Sequence, residues 1–310
     1  MVWIIVGSIL GLLIIFFFIT LYIVYRIIFY SPKKGQNDEM RAEPSLDYQG
    51  MRPKSIELIN KMLSLSYEDL YMKSRDGLKL HAYFYRNEAS NCFVIMFNGY
   101  RGTPRRDFSG GALEAINLGM NVLLVDQRAH GKSEGHSITF GRKEQYDVVD
   151  WIKFAKEKWG KSIKITIVGI SMGGATVLMA SDKIDPAINV IADCPYSVEK
   201  DVIKHSMVKL GYPPKLFWPL AYLSCIIFGH ASLKDDARVS VTNSKSKILI
   251  IHGTGDTIVP IEMSERVLEG NEDHVQYEKF EGVEHALSYL QDSERYRKII
   301  KNFIEQNKKM

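Results

Sequence analysis

The 310-residue chain has the composition of a globular protein, with 25% charged and 46% hydrophobic residues, which excludes a collagen, a disulfide-rich mini-protein and long disorder. Its 40 basic and 36 acidic residues give a formal net charge of +4 without a dominant basic block, so we expect no nucleic-acid partner. Three scattered cysteines (Cys92, Cys194 and Cys225) form no disulfide framework and no Cys-x-x-Cys metal pair, and we expect free thiols.

Residues 2–30 are predicted to be a single transmembrane anchor. The run from Val2 to Tyr25 has no charged side chain, and a helix rising about 1.5 Å per residue can cross a hydrocarbon core of about 30 Å over that length. A cleavable signal peptide is the alternative, but no Lys or Arg precedes the run and no small-x-small cleavage site is evident. Basic residues only follow the run, so the positive-inside rule predicts that the rest of the chain is cytoplasmic. These basic residues are Arg26, Lys33, Lys34 and Arg41.

A linker and a short helix are predicted over residues 31–66. The linker is polar and contains Pro32, Gly35, Pro44 and Pro53. Apolar residues then recur at helical spacing from Ile56 to Leu63. From residue 67 the pattern changes, because apolar runs flank Asp76-Gly77, a pair typical of a β-hairpin turn.

Apolar strands then alternate with amphipathic helices along the chain. The candidate strands are residues 93–97, 121–125, 164–168, 189–192, 247–251 and 276–280. Near-continuous apolar strands between amphipathic helices predict an α/β fold, in which a mostly parallel sheet is covered by helices on both faces. About 55 residues separate the fourth and fifth of these strands, where an ordinary connection has about 2–6 residues. This stretch is predicted to be a helical insertion.

The strongest local signal is the motif Gly169-Ile170-Ser171-Met172-Gly173-Gly174. It follows a predicted strand and opens a predicted helix, the context in which a Gly-x-Ser-x-Gly motif holds a serine on a strained turn. The glycines let neighbouring backbone approach without a Cβ clash, and the helix N-terminus favours developing negative charge. An inert glycine-rich turn is the alternative. In this context we predict that Ser171 is a nucleophile.

A serine nucleophile needs a base that takes its proton and an acid that orients the base. On this architecture the three residues follow in the order Ser, Asp or Glu, His. Asp256 and His285 each follow a predicted strand, at the edge where parallel sheets place their sites, and we predict both as catalytic residues beside Ser171. His252 stands at the strand end itself and is interpreted as structural. The weaker acid candidates, which follow no strand in the right place, are Asp273 and Glu284.

Two backbone N–H groups are predicted to stabilise the oxyanion of the tetrahedral intermediate. One belongs to Met172, the residue after the nucleophile. The other is predicted at Tyr100, in the loop that follows Phe97, where Gly99 allows close approach of the backbone.

Five motifs follow one another in a specific order. They are Asn98-Gly99-Tyr100-Arg101-Gly102, Asp126-Gln127-Arg128-Ala129-His130-Gly131-Lys132-Ser133, the run from Gly169 to Gly174, Gly255-Asp256 and Glu284-His285. With these motifs the chain resembles α/β-hydrolase fold proteins, in the serine hydrolase branch of small esterases, monoacylglycerol-lipase-like enzymes and serine aminopeptidases. The resemblance covers roughly residues 67–309. It implies an α/β-hydrolase domain over residues 67–310 with a helical cap at about residues 195–246.

Two positions depart from the pattern of this family. Asn98 stands where the family often has His, and Ala129 stands where it often has Gly. Because the oxyanion donors are backbone groups, the change at Asn98 bears on loop geometry more than on catalysis. We interpret the loop at residues 126–130 as a brace for the site. A metal site at His130 and His136 is a weak rival because no ligand cluster completes it, and we expect no metal and no cofactor.

The predicted cap contains Phe217, Trp218 and Leu223, which are candidate substrate-binding residues. Their apolar side chains would form a wall for an acyl group. In the alternative interpretation they pack the cap onto the core, as apolar residues at helical spacing usually do.

The sequence therefore predicts a membrane-anchored serine hydrolase that cleaves carboxylic esters, either small-molecule or lipid-derived, through an acyl-enzyme intermediate. A serine peptidase for short peptides is one alternative, and it would need an electronegative pocket for a free amino terminus. A catalytically silent anchored scaffold is the alternative from another class. Because every candidate catalytic residue lies beyond Phe97, we expect residues 2–30 to be dispensable, so that a chain beginning near Arg52 is soluble and active.

Overall fold

The computed structural model describes residues 1–32 and 50–306. Lys33, Lys34, Arg41 and most of the predicted linker lie outside the described residues. The strands are β1 (Glu68–Lys73), β2 (Lys79–Tyr85), β3 (Cys92–Phe97), β4 (Asn121–Asp126), β5 (Lys164–Ile170), β6 (Asn189–Asp193), β7 (Ile248–Gly253) and β8 (Val275–Phe280). The helices are α1 (Val2–Ile28), α2 (Arg52–Ser64), α3 (Pro104–Asp107), α4 (Ser109–Asn117), α5 (Glu144–Trp159), α6 (Met172–Ala180), α7 (Glu199–Lys209), α8 (Pro214–Ser224), α9 (Ala237–Asn243), α10 (Glu262–Leu268), α11 (Ser288–Gln291) and α12 (Ser293–Gln306).

All eight strands form one sheet in the order β1-β2-β4-β3-β5-β6-β7-β8. The strands β1 and β2 form the hairpin expected around Asp76-Gly77, and β2 pairs antiparallel with β4. Every other pair of neighbouring strands is parallel. The predicted α/β-hydrolase fold is confirmed.

The alternation of side chains along β3 shows how the sheet is covered on both faces. Phe93, Ile95 and Phe97 pack in the core that α5 and α6 cover. Val94 and Met96 point to the opposite core, which α4 and α12 cover. Because successive side chains of a strand face opposite ways, a strand buried on both faces must be apolar at every position.

The insertion between β6 and β7 contains α7, α8 and α9. A π-helical turn, Cys225–Gly229, continues α8 without a break. The side chains of Val202, Ile203, Ala221 and Cys225 are buried in the same core as α5 and α6. The predicted cap region is therefore helical, and much of its apolar surface is used to attach it to the core.

The N-terminal helix α1 has two distinct parts. It is the one described helix that is long and apolar enough to cross a membrane. Residues 2–19 are exposed, apart from Gly11, which is half-buried. Leu21, Tyr25 and Phe29, however, are buried, and this part packs against α8 and the π-helical turn. These three residues are four apart along the chain and therefore lie on one face of the helix. Because a face that packs on protein and a face that contacts lipid are both apolar, composition does not distinguish them.

This packing differs from the expectation that residues 2–30 are dispensable. Tyr25 Oη lies 2.6 Å from Ser137 Oγ, and the rings of Tyr22 and Tyr25 lie 5.4 and 5.6 Å from the ring of Phe228. The chain after α1 also joins the domain, because Ile138 N–H donates to the carbonyl of Phe29 over 2.7 Å. The end of α1 is therefore part of the folded domain.

Candidate active site

Ser171 occupies the sharp turn between β5 and α6. Its φ of 55° places it in the left-handed region, which is uncommon for a residue other than glycine. A Cβ at Gly169 would collide with the backbone of Gly173, and a Cβ at Gly173 would collide with the carbonyl of Phe97. The glycines of the motif are therefore required where the turn presses against neighbouring strands, as the sequence predicts.

The structure brings Ser171, His285 and Asp256 together in one hydrogen-bonded chain. Asp256 lies just after β7 and His285 just after β8, so both stand at the carboxyl edge of the sheet. His285 Nε2 lies 2.9 Å from Ser171 Oγ, and His285 Nδ1 lies 2.6 Å from Asp256 Oδ2. With Nδ1–H donating to the carboxylate, Nε2 is free to accept the serine proton, which is the geometry of an activated nucleophile.

Asp256 is held in place by four groups. Its Oδ1 accepts hydrogen bonds from the N–H groups of Ile258 and Val259, at 2.9 and 2.8 Å. Its Oδ2 is shared between His285 and His252, whose Nε2 lies at 3.2 Å. Burial alone would raise the pKa of the Asp256 carboxyl, but hydrogen bonds from His252 and His285 outweigh burial and hold that pKa well below its usual range. Asp256 is therefore a fixed negative charge behind His285.

His252, which the sequence analysis interprets as structural, contacts the candidate acid. It is fully buried at the end of β7, and its Nε2 also lies 2.9 Å from the carbonyl of Val259. Since a carbonyl can only accept, Nε2 carries the proton and donates to both Val259 and Asp256. Its contact with the candidate acid is a feature that strand positions in the sequence did not reveal.

The predicted oxyanion loop lies against the nucleophile. A Cβ at Gly99 would lie 3.6 Å from the Cβ of Ser171, in van der Waals contact with it, so Gly99 lies directly beside the nucleophile. Gly99 N–H donates to Asp107 Oδ2 over 3.1 Å, and Arg101 N–H donates to His130 Nε2 over 3.0 Å. In the described part of the chain, the N–H groups of Tyr100 and Met172 have no such acceptor, and both remain for an oxyanion.

The two departures from the family pattern are accommodated locally. Asn98 is fully buried, and its Nδ2 donates to the carbonyl of Gly99 over 2.9 Å, so the asparagine supports the loop directly. Ala129 adopts a φ of 63°, a conformation that glycine would adopt without strain.

The loop at residues 126–130 braces the site through the buried guanidinium of Arg128. Arg128 forms ion pairs with Asp147 and Asp76, at 2.6 and 2.8 Å. His130 Nδ1–H donates to the carbonyl of Arg128 over 2.9 Å, which leaves Nε2 as the acceptor for Arg101. Burial lowers the pKa of His130, so the neutral ring that this arrangement needs is favoured.

Within the described residues, one group of side chains has metal-ligand spacing, and it is Cys194, Asp256 and His285. Two of its members already form the hydrogen-bonded chain with Ser171. His136 is stacked on Tyr30 with ring centres 5.6 Å apart and does not join His130 in such a group.

A cavity of about 310 Å³ opens beside Ser171 and His285. Its apolar lining comes from the end of β5, from the segments around the oxyanion loop and after His285, and from the loop before α10. These residues are Tyr100, Phe108, Ile170, Ile258, Tyr289 and Leu290. Sequence reasoning missed Phe108, Tyr289 and Leu290, although their short distance along the chain from Tyr100 and His285 was a usable signal.

The three candidate substrate-binding residues of the cap are placed elsewhere. Phe217 and Trp218 pack as partly buried side chains against the core that α5 and α6 cover, and Leu223 is half-buried in α8. None of the three lines the cavity beside Ser171. The structure thus places them as the packing alternative describes.

Comparisons with known proteins agree with this architecture. The sequence profile of the X-Pro dipeptidyl-peptidase (S15) family matches residues 60–215. The Bacillus subtilis protein YqkD is 28% identical over 194 residues, which are 61% of this chain and 64% of YqkD. The Saccharomyces cerevisiae membrane protein YNL320W is 25% identical over 202 residues, 63% of this chain and 65% of that protein. The chain therefore matches just under two thirds of each relative's own length.

Among solved structures, the Pyrococcus furiosus esterase Pf2001 has the same fold. Its TM-score is 0.65 at 24% sequence identity, and the alignment covers 79% of this chain and 94% of the esterase. The S15 profile spans the oxyanion loop and Ser171 but ends before Asp256 and His285. The assignment of those two residues to the site therefore depends on their hydrogen-bond distances to each other and to Ser171.

Proposed function

Since the chain belongs to the X-Pro dipeptidyl-peptidase (S15) family and is a serine hydrolase, we propose that it is a membrane-anchored enzyme that cleaves carboxylic esters through an acyl-enzyme intermediate. The observation that carries the proposal is the chain of hydrogen bonds from Ser171 through His285 to Asp256, at 2.9 and 2.6 Å, beside an apolar cavity.

The mechanism follows from the atoms that face one another. Ser171 Oγ attacks the acyl carbon while its proton passes to His285 Nε2, and Asp256 stabilises the imidazolium that forms. The N–H groups of Tyr100 and Met172 bind the oxyanion of the tetrahedral intermediate. His285 then protonates the leaving alkoxide, and the acyl group remains on Ser171. A water molecule, deprotonated by His285, attacks this ester. The bond between the acyl carbon and Ser171 Oγ breaks, His285 returns the proton to Oγ, and the carboxylic acid is released.

The charges around the cavity favour a neutral ester over a peptide with a free amino terminus. Asp107 uses one oxygen for Gly99 N–H and pairs the other with Arg106 at 2.9 Å. Asp193 accepts from Tyr296 Oη over 2.9 Å, and its second oxygen is buried without a hydrogen-bond partner. In the described lining, Asp107 is thus engaged through both oxygens and Asp193 is buried, so neither carboxylate is presented to a substrate ammonium group.

The size of the cavity favours a small acyl group. A volume of about 310 Å³ lies at the lower end of the range of ligand pockets, about 300–1,000 Å³. Its apolar rings can hold a short or medium acyl chain, while polar groups at Ser171 orient the ester.

Attachment to a membrane is proposed from α1. Residues 2–19 form an exposed apolar helix about 27 Å long, close to a hydrocarbon core of about 30 Å. Arg26 lies on the hydrolase-domain side of this segment, which supports a cytoplasmic hydrolase domain.

The test combines labelling with a substrate panel. The full-length protein in detergent is treated with a fluorophosphonate, which we expect to label wild type and not Ser171→Ala. Acetate, butyrate and octanoate esters of 4-nitrophenol are then compared with alanyl-proline and glycyl-proline 4-nitroanilides. Faster turnover of the esters supports the proposal, and preference for the nitroanilides supports the peptidase. Absence of both labelling and turnover in folded protein supports the silent scaffold.

A further inference from the structure

The end of the membrane helix is bonded directly to the oxyanion loop. Tyr100 Oη–H donates to the carbonyl of Ile28 over 2.6 Å. Arg101 Nη2 donates to the carbonyls of Ile27 and Tyr30, at 2.7 and 2.8 Å. These two residues of the loop thus satisfy backbone carbonyls at the C-terminal end of α1.

Those carbonyls need partners from outside the helix. The last four carbonyls of a helix have no N–H of their own helix to accept from, and Ile27 and Ile28 form the last residues of α1. A guanidinium is a favourable partner because the C-terminal end of a helix carries partial negative charge. Burial raises the pKa of Tyr100 to about 12, so its hydroxyl keeps the proton that it donates.

The same contacts fix the loop in an unusual conformation. Arg101 has a φ of 52°, in the left-handed region, which persists where surrounding contacts hold it. Its side chain is held by α1 and its N–H by His130. The ring of Tyr100 stacks on Phe140 with centres 5.1 Å apart, and Phe140 in turn meets Phe29 edge-on at 5.9 Å. Tyr100 and Arg101 directly follow the Gly99–Tyr100 peptide, which carries the Tyr100 N–H, and both are therefore held in place by their side chains.

We propose that Arg101 and the hydroxyl of Tyr100 are positioning groups, through which the end of α1 holds the Tyr100 N–H in the geometry that binds the oxyanion. Neither side-chain group donates to the substrate itself. They act by keeping the backbone donor aimed at the place where negative charge develops in the transition state. The membrane helix is in this way a structural component of the active site as well as an anchor. The inference depends on the proposed acyl-transfer function.

The experiment uses two matched substitutions that each remove one phenolic hydroxyl from the contact between α1 and the domain. Tyr100→Phe removes the bond to Ile28, and Tyr25→Phe removes the bond to Ser137, at 2.6 Å in both cases. Arg101→Met removes two bonds, and Arg101→Lys keeps the positive charge as a conservative rescue. All are measured as full-length protein in detergent, with 4-nitrophenyl butyrate as substrate.

We expect a loss in kcat at nearly constant KM. A hydrogen bond of ordinary strength corresponds to a factor of about ten at most, so Tyr100→Phe is expected to lower kcat about fivefold to tenfold. Arg101→Met is expected to lower kcat about 10²-fold, near the loss seen when one oxyanion donor is removed, and Arg101→Lys to recover about half of this on a logarithmic scale. Tyr25→Phe is expected to keep kcat within twofold.

A trifluoromethyl ketone provides a readout that a purely structural role does not move. Its adduct with Ser171 carries an oxyanion, so its Ki is expected to rise in each variant by the same factor as kcat falls. Equal kcat in Tyr100→Phe and Tyr25→Phe, or an unchanged Ki in variants with reduced kcat, overturns the positioning role while Ser171-dependent turnover of wild type upholds the proposed function. Wild type without turnover that depends on Ser171 refutes both.

Discussion

Asp256→Asn tests the orientation of the candidate base with almost no change in shape. In the structure Asp256 Oδ1 accepts from the N–H groups of Ile258 and Val259, so the oxygen of an asparagine must take this place. Its NH₂ group then takes the place of Oδ2, the atom that lies 2.6 Å from His285 Nδ1 in the wild-type structure. Because NH₂ only donates, His285 must accept at Nδ1 and carry its proton on Nε2, where it cannot take the proton of Ser171.

We expect kcat for 4-nitrophenyl butyrate to fall about 10⁴-fold, the magnitude associated with a base held in the wrong tautomer. The thermal midpoint is expected to fall only slightly, because the two backbone bonds to the side chain remain while the weaker hydrogen bond from His252 Nε2 is lost. Nitrogen NMR of labelled imidazoles reads the tautomer directly. Wild type should show the proton on Nδ1 of His285, and the variant should show it on Nε2.

Two results would contradict the expected loss of kcat and its explanation. Turnover within tenfold of wild type in Asp256→Asn means that the carboxylate does not orient the base. Loss of turnover with the proton still on Nδ1 means that some other effect is responsible. His252→Ala serves as a control, since it removes the weaker contact of Asp256 at 3.2 Å. If that variant abolishes fluorophosphonate labelling in folded protein while His285→Ala keeps it, the base is wrongly assigned.

Three further predictions follow from the same geometry. Ser171→Ala and His285→Ala are each expected to lower turnover about 10⁶-fold. Because the two residues act as one unit, the double variant is expected to lose no more activity than either single variant, and additive losses in steady-state assays would contradict this. Phe217→Ala and Trp218→Ala are expected to lower the thermal midpoint and to change acetate and octanoate turnover equally, since both residues pack on the core; a selective loss for octanoate would place them at the substrate. Burial raises the pKa of Asp193 to about 6, so the native state keeps a proton that the unfolded chain has released, and stability falls as pH rises from about 4 through 6. In urea unfolding, the stability of Asp193→Asn relative to wild type is expected to rise by about 3 kcal/mol across this window, and a constant difference would contradict the burial of the charge.

The fold and the positions of the candidate catalytic residues were predictable because they depend on local and ordered signals. Strands buried on both faces have to be apolar at consecutive positions, and the glycines around Ser171 are required by backbone packing. Asp256 and His285 were found by their position after a strand, since parallel strands place their carboxyl ends at one edge. These signals need no knowledge of which distant side chains meet.

The cavity lining and the role of the cap were less predictable, because they depend on which distant side chains meet. Phe217 and Phe108 are equally apolar, and composition does not distinguish a ring that packs on the core from one that faces a substrate. The difference arises from long-range packing, which brings α3, α11 and the loop before α10 around Ser171. The cap helix α8 instead faces α1 and the core.

In the N-terminal segment, composition does not distinguish the exposed apolar residues from those that pack on the domain. Burial of Leu21, Tyr25 and Phe29 contributes about 1.5–3 kcal/mol for each side chain, a total comparable to the 5–15 kcal/mol by which a typical domain is stable. A chain that begins at Thr20 loses only the exposed part of α1 and is expected to keep its thermal midpoint and its turnover of 4-nitrophenyl butyrate. A chain that begins near Arg52 also loses the buried stripe and the carbonyls that hold Tyr100 and Arg101, so we expect it to aggregate or to retain little turnover. Wild-type stability and kcat in the shorter chain would show that the end of α1 is only an attachment, because a segment that completes the core and the oxyanion loop cannot be removed without loss.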